Sequence, residues 1–209
     1  MESARVNIDV KKELKELYSP GKKEFAQVTV PVMRYLAIDG QGDPNTSAGY
    51  QAAVESLYTL GYSTRAEWKE QTGNTFVVGP LEGLWWSEDP ATFVAARKNE
   101  WKWTMLIALP DPVDSEFFDL GVAQAHKKKP ELPIREVRLQ TIEEGESLQI
   151  LHIGSYEDEG PVLARLHQQI MVERELTFNG PHHEIYLSDP RKTAPEKLKT
   201  VLRQPVRPR

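Results

Sequence analysis

The order strand, helix, strand, strand is written twice in this chain, and a Gly-Pro pair marks the same point in each copy. Gly79-Pro80 runs into LEGLWWSED, and Gly180-Pro181 runs into HHEIYLSDP. Aligning the pairs sets Gly83 opposite Glu184, Trp85 opposite Tyr186 and Ser87 opposite Ser188. Upstream, each copy has a strand ending in Ile and Gly (Ile38 to Gly40; Ile153-Gly154), then a loop and an amphipathic helix. Two copies do not make a solenoid, which needs several stacked units to bury a core. They imply one α+β domain of pseudo-twofold tandem strand-helix-strand-strand modules. Its antiparallel-rich sheet surface would carry helices on one face and a ligand groove on the other. The domain is expected over residues 25–209: a first half-module at about 25–110, a linking helix at about 114–129 and a second half-module at about 131–207. Residues 1–24, charged and closing on Ser19-Pro20-Gly21, read as a peripheral helix and a turn.

Local patterns support the elements. AQVTVPVMRYLAIDG is rich in β-branched residues and reads as a strand leading into a loop. After the N-cap candidates Asn45-Thr46-Ser47, residues Tyr50, Ala53, Val54, Leu57 and Leu60 recur at spacings of three and four, which is one helical face. Val162, Leu163, Leu166 and Ile170 do the same in the second copy. DSEFFDLGVAQAHKKKP places three lysines at a helix C-terminus and then stops it with proline. Asp89-Pro90 opens a short helix, with proline at its first position. REVRLQTIEEGESLQILHIGSY gives two strands around Glu144-Gly145, and TVLRQPV is the last strand.

Composition narrows the chemistry. At 209 residues the chain buries a core without staples. It has no cysteine, which removes disulfides, thiolate zinc sites and thiol nucleophiles and fits a cytoplasmic location. No apolar run reaches the ~18 residues that span a membrane, and the N-terminus lacks the apolar core of a signal peptide. The net charge of −5 argues against a nucleic-acid partner, where neutralising phosphate dominates affinity. Against this ordinary background, five Trp, seven Tyr and six Phe stand out.

Strand alternation sorts these rings. In His183–Ser188, Ile185 and Leu187 form the apolar set that should meet the helices, so Glu184, Tyr186 and Ser188 face the groove. In the first copy Leu84 and Trp86 would pack under the helices, while Gly83, Trp85 and Ser87 face the groove. Trp101 and Trp103 share a face of the neighbouring strand.

HIGSYEDEGPVLARLH, followed by FNGPHHEIYLSDPRKTAPEKLKTVLRQPV, resembles the C-terminal half of the GyrI-like small-molecule-binding domain. WKWTMLIALPD with the KKKPEL segment resembles the stand-alone branch of that family. The resemblance covers nearly all of residues 25–207 and rests on several ordered motifs. It implies tandem modules with a ligand groove between them and a groove glutamate in GPxxEIY, which falls on Glu184. The stand-alone branch is similar to cyclopropanoid cyclopropyl hydrolases. Those enzymes open the strained ring of planar, DNA-alkylating natural products of the yatakemycin and CC-1065 type, and the branch is associated with an aromatic cage. Other relatives are effector-binding domains of multidrug regulators, or free binders that protect DNA gyrase.

The expected site follows from both lines. Glu184 and Tyr186 are the catalytic candidates, Glu184 as a base for water and Tyr186 as a donor to the developing oxyanion. Trp85, Trp101, Trp103, Tyr50, His152, Tyr156 and Glu157 are the substrate-binding candidates. Each has a plainer alternative: a solvated carboxylate for Glu184, core packing for the rings, a hydrogen bond inside the fold for His152. Glu157-Asp158-Glu159 is most simply a solvated loop at a helix start. No cofactor is expected. No metal is expected either, since adjacent His182 and His183 cannot face one site from a regular strand. The partner is a small aromatic ligand. The competing reading is a binder without chemistry that sequesters amphipathic or cationic drugs or serves as an effector module. A protein partner such as gyrase leaves no mark in the sequence, and only 24 residues precede the domain, too few for a helix-turn-helix module.

Overall fold

The computed structural model describes residues 5–86 and 98–209. The first part of the chain forms β1 (Asn7–Ile8), α1 (Val10–Glu13), α2 (Lys15–Tyr18), β2 (Ala26–Val30), β3 (Met33–Gln41), α3 (Ala48–Thr72), β4 (Thr75–Phe76) and β5 (Leu81–Trp86). Then come β6 (Lys102–Leu109), α4 (Ser115–Lys128), β7 (Arg138–Ile142), β8 (Gly145–Ile153) and α5 (Gly160–Arg165), which continues through a π-helical turn at Leu166–Ile170. β9 (Leu176–Phe178), β10 (His182–Tyr186) and β11 (Lys199–Pro208) complete the chain. The expected helix at Asp89-Pro90, and Ser87, lie outside the described residues. The fold is α+β with antiparallel pairing throughout its large strands, as the duplication implied.

The chain divides into two compact units, Met1–Glu13 with Met33–Ile142, and Leu14–Val32 with Glu143–Arg209. In the first, the strands run β5-β6-β3-β7, all antiparallel, and β1 pairs with β4 in parallel. Helix α3 begins where Ser47 Oγ accepts the amide of Tyr50 at 3.2 Å and ends at Gly73 in the left-handed region, φ 73°. Its first turns carry Ala53, Leu57 and Leu60, all buried, onto the sheet. Helix α4 approaches α3 closely because residue 121 is glycine: a Cβ there would sit 2.2 Å from Thr64 Oγ1.

In the second unit the strands run β2-β8-β11-β10, again antiparallel, with β9 on the far end of β11. One face is apolar. Leu148, Ile150 and Leu202 from the strands pack with Phe25 and with Leu166, Ile170 and Met171 from the helical segment. Removing any one of the leucines to alanine would cost ~2–5 kcal/mol. The opposite face is covered by α2, whose Leu17 and Tyr18 are buried. There Arg203, 1% exposed, donates to Glu144 Oε2, Gln149 Oε1 and the Leu17 carbonyl, each at 3.0 Å. His183 Nδ1 lies 2.9 Å from the other Glu144 oxygen, and Gln149 reaches the Glu16 carbonyl at 2.8 Å.

Several expectations need correction. The strand foreseen from Ala26 to Gly40 is two strands, parted at Pro31, and β2 pairs with β8 in the second unit instead of opening the first half-module. The N-terminal residues are not merely peripheral, since α2 caps a buried arginine. The two strands expected around Glu144-Gly145 are present as β7 and β8, and each pairs elsewhere: β7 with β3, and β8 with β2 and β11.

The expected sidedness is also reversed. Residues paired across an antiparallel ladder put their side chains on one face. Glu184 pairs with Leu202, which pairs with Ile150, so Glu184 and Tyr186 share the helix-bearing face. Ile185, fully buried, belongs to the α2 side. In the first unit, Trp85 pairs with Trp103 and Trp103 with Gly40, on the face of Leu36 that α3 covers through Gly61. Leu84 and Trp86 lie on the other face. A residue that alternation marks as buried can be buried under either cover, and here both faces have one.

The buried ion network sets a testable dependence on acid. Burial by itself would raise the Glu144 carboxyl, but His183 and Arg203 overcome this and bring it down to about 2 from the ordinary 4.5. Its stabilising contribution is therefore full above about pH 4.5 and is lost as pH falls towards 2. Glu144→Gln, which leaves a buried guanidinium short of its counter-charge, should lower the unfolding free energy by ~3–5 kcal/mol in urea titrations at pH 7. Arg138→Ala, which breaks the exposed pair with Asp39 at 2.9 Å, should change it by less than ~1 kcal/mol.

Candidate functional site

The ring candidates of the first unit form one cluster at the start of α3. Tyr50, in the first helical turn, lies 6.4 Å from Trp85 in a near-parallel arrangement and 5.3 Å from Trp103 edge-on. Trp101 meets Trp85 edge-on at 5.9 Å, and the Lys98 ammonium sits 5.7 Å from the Trp101 ring centre. The register explains the cluster. Trp85 and Trp103 are a cross-strand pair, and Gly40 stands opposite Trp103 on the next strand. A Cβ at Gly40 would fall 2.0 Å from Trp103 Cη2, so the indole lies flat across a strand position that only glycine leaves open. Trp85 and Trp103 are 6% and 2% exposed, so they form a floor, and the half-buried Tyr50 and Trp101 supply the accessible ring surface. Trp86, expected in the core, is the more exposed of the adjacent pair.

The acidic candidates gather in the second unit, at the start of α5. Tyr186 Oη donates to Glu184 Oε2 at 2.8 Å, and Tyr156 stands edge-on to Tyr186 at 5.7 Å. His152 is buried on the same face, since it pairs with Thr200 and Thr200 with Tyr186. Its Nε2 lies 3.0 Å from the Ser155 carbonyl, the hydrogen bond within the fold that was the plainer alternative. Glu157 is exposed, and its charge acts on both Tyr156 and Glu159. Burial, then Glu159, Glu184, Asp189 and Glu157, push the Tyr156 phenol up to about 12, so it remains a donor at any working pH.

The residue that the sequence reading passed over is Glu159. It is 5% exposed rather than a solvated loop acid. Burial first, then the negative charge of Glu184, raise its carboxyl to about 9, against an opposing effect of Thr200 and with a further push from Glu157. A signal was available. Glu159 precedes Val162, Leu163 and Leu166 by three, four and seven positions, which puts it on the buried helical face. The arrangement couples two carboxyls, one kept protonated by burial and by the charge of the other. That is the pattern by which paired acids divide the roles of proton donor and proton acceptor. Among the described residues no group of three or more potential ligands could hold a metal ion. No described helix is long and apolar enough to cross a membrane.

A family model described as the GyrI-like small molecule binding domain matches residues 23–207. Among solved structures, an uncharacterized conserved protein from Listeria innocua is 41% identical, with a TM-score of 0.87 over 96% of this chain and 100% of its own. A hydrolase from the same organism is 39% identical, with a TM-score of 0.82 over the same shares, 96% and 100%. The C-terminal domain of EcmrR, at 12% identity and a TM-score of 0.57 over 89% of this chain and 98% of that domain, shares the fold alone. No curated protein sequence matches.

The proton held by Glu159 gives stability a pH slope of opposite sign to that of Glu144. The folded chain keeps this proton between about 4.5 and 9, where the unfolded chain has lost it, so stability falls as pH rises through that window. Glu159→Gln, neutral at every pH, should match the parent near pH 4 and exceed its melting temperature by a growing margin towards pH 8. Parallel melting curves for the two proteins would cancel the assignment of a protonated Glu159.

Proposed function

This chain belongs to the GyrI-like small-molecule-binding family, and from that premise we propose that it is a hydrolase. Its substrates would be planar, aromatic, DNA-alkylating compounds of the yatakemycin and CC-1065 type, whose cyclopropane it opens with water. The observation that carries the reading is the coupled pair, Glu184 hydrogen-bonded by Tyr186 and Glu159 holding its proton. The hydrolase from Listeria innocua, 39% identical over the whole of its length, supports it from outside.

The steps follow from the groups present. Glu184 takes a proton from water as the water oxygen bonds to the methylene carbon of the strained ring. The C–C bond breaks, and its electron pair passes through the conjugated system to the carbonyl oxygen, which becomes a phenolate. Glu159 delivers its proton there, and the proton collected on Glu184 returns to Glu159, so substrate plus water gives the ring-opened alcohol. Tyr186, expected as the oxyanion donor, has its hydroxyl committed to Glu184 Oε2 and serves to hold that carboxylate. The Tyr156 hydroxyl, a phenol up to about pH 12, is the better-placed donor of the two. Tyr156 is the proposed stacking surface beside the acids; in the first unit Trp101 and Tyr50, with Trp85 and Trp103 beneath, are proposed as an aromatic binding surface of their own, each aromatic contact adding ~1 kcal/mol to binding beyond area burial. His152 and Glu157 are assigned to the rim of the substrate site.

Trace protein mixed with a cyclopropanoid substrate should convert many equivalents to the hydrated product, followed by mass. Conversion that stops at one equivalent would leave a sequestering binder. Glu184→Gln should keep the fold and the ligand affinity and reduce kcat by ~100-fold or more. A matched loss of affinity, with undiminished rate per bound molecule, would reduce Glu184 to a binding group.

A further inference from the structure

Strand β8 is longer than its cover. β2 pairs with Gly145–Gln149 only, and upstream of β2 the chain leaves the sheet, returning where the Gly21 carbonyl accepts the Leu151 amide at 2.9 Å. Backbone amides alternate in direction along a paired strand. The Leu151 amide points to the β2 edge and the Gly154 amide points the other way, to the Leu198 carbonyl. The Ile153 amide therefore points to the β2 edge, and it makes no hydrogen bond among the described residues. Beside this edge lies a cavity of about 480 Å³. That is within the ~300–1,000 Å³ usual for small-molecule sites. Ile150, Ile153, Pro161 and Val162 give it apolar walls, and Lys22 and Arg165 also border it.

The two cations differ. Arg165 is already answered: its guanidinium donates to Glu24 Oε2 at 3.0 Å and lies 5.6 Å from the Phe25 ring centre. Lys22 is exposed and has no ion pair among the described residues. No Asp or Glu borders the cavity, and Asp158, at the nearby helix start, accepts from Ser155 Oγ at 2.8 Å. In a chain of net charge −5, this cavity offers an ammonium, an open backbone donor and hydrocarbon walls. We propose that it is a second ligand site of this unit, and that it takes an amphipathic monocarboxylate with an alkyl or aryl-alkyl chain of about eight carbons. The carboxylate accepts from the Ile153 amide and the Lys22 ammonium, charge-assisted bonds that are stronger than neutral ones. The chain lies against Pro161 and Val162 and gains affinity with the apolar area it covers. Neither Glu159 nor Glu184 borders the cavity, so its ligand is independent of the hydrolase reading.

The test titrates octanoate into the full chain and follows both the heat and the backbone amide spectrum. Octanoate should bind saturably and at least ~10-fold tighter than octylamine, which carries the same chain and the opposite charge. The Ile153 amide proton should move downfield as the site fills. Lys22→Glu, a change at an exposed position, should weaken octanoate by ~10-fold or more. Val162→Trp fills the cavity and should abolish saturable binding. If that variant fails to fold, hexanoate takes its place: two methylenes fewer should weaken binding to the parent by ~5–15-fold. Glu184→Gln should leave the octanoate affinity within ~2-fold. Octanoate that does not saturate, octylamine that binds as tightly, or an affinity indifferent to Lys22→Glu would each overturn the proposal. A loss in Glu184→Gln that matches the loss in Lys22→Glu would put the ligand at the acids and overturn it as well. A chain that hydrolyses nothing leaves these outcomes unchanged, so the two readings fail separately.

Discussion

Strands covered on both faces leave polar side chains no solvent to answer them, and the second unit is organised around that constraint. The buried charged and hydrogen-bonding groups of β10 and β11 must find their partners inside the protein. On the α2 side Arg203 is met by Glu144, Gln149 and the Leu17 carbonyl. That buried network serves stability. On the helix-bearing side the answer is partial. Glu184 is met by Tyr186, Glu159 is met chiefly by keeping its proton, and His182 makes no hydrogen bond among the described residues. On the proposed reading, this difference separates scaffold from site in this unit.

The two units use one register for different chemistry. Where the first has the cross-strand series Gly40, Trp103, Trp85, the second has His152, Thr200, Tyr186. Tyr50 and Tyr156 open the corresponding helical segments. Gly83 stands where Glu184 stands, and a Cβ there would meet the Trp85 indole nitrogen at 2.9 Å. A large ring folded back over its own strand and a carboxylate at that position exclude each other sterically. The first unit thus carries an aromatic cluster where the second carries a cluster of carboxyls and phenols. The family's domains bind small molecules, and both clusters are among the residues proposed for that role.

The sequence by itself determined the duplicated order of elements, the α+β class, the helices from their three-and-four spacing, and the family through its ordered motifs. It also determined that Glu184 and Tyr186 share a face, because a strand's period of two admits no other outcome. The tertiary structure alone decided which face that is. Alternation separates two sides without labelling them, and α2, short and unremarkable in sequence, covers the side where helices were expected. It decided too that β2 joins β8, since pairing partners far apart in sequence leave no local trace. Finally, Glu159 sat within a run of three acids whose sequence reads as solvated. Its spacing to Val162, Leu163 and Leu166 marked the helical face it shares, and the packing of the helix start against the sheet decided that this face is buried and raised its carboxyl.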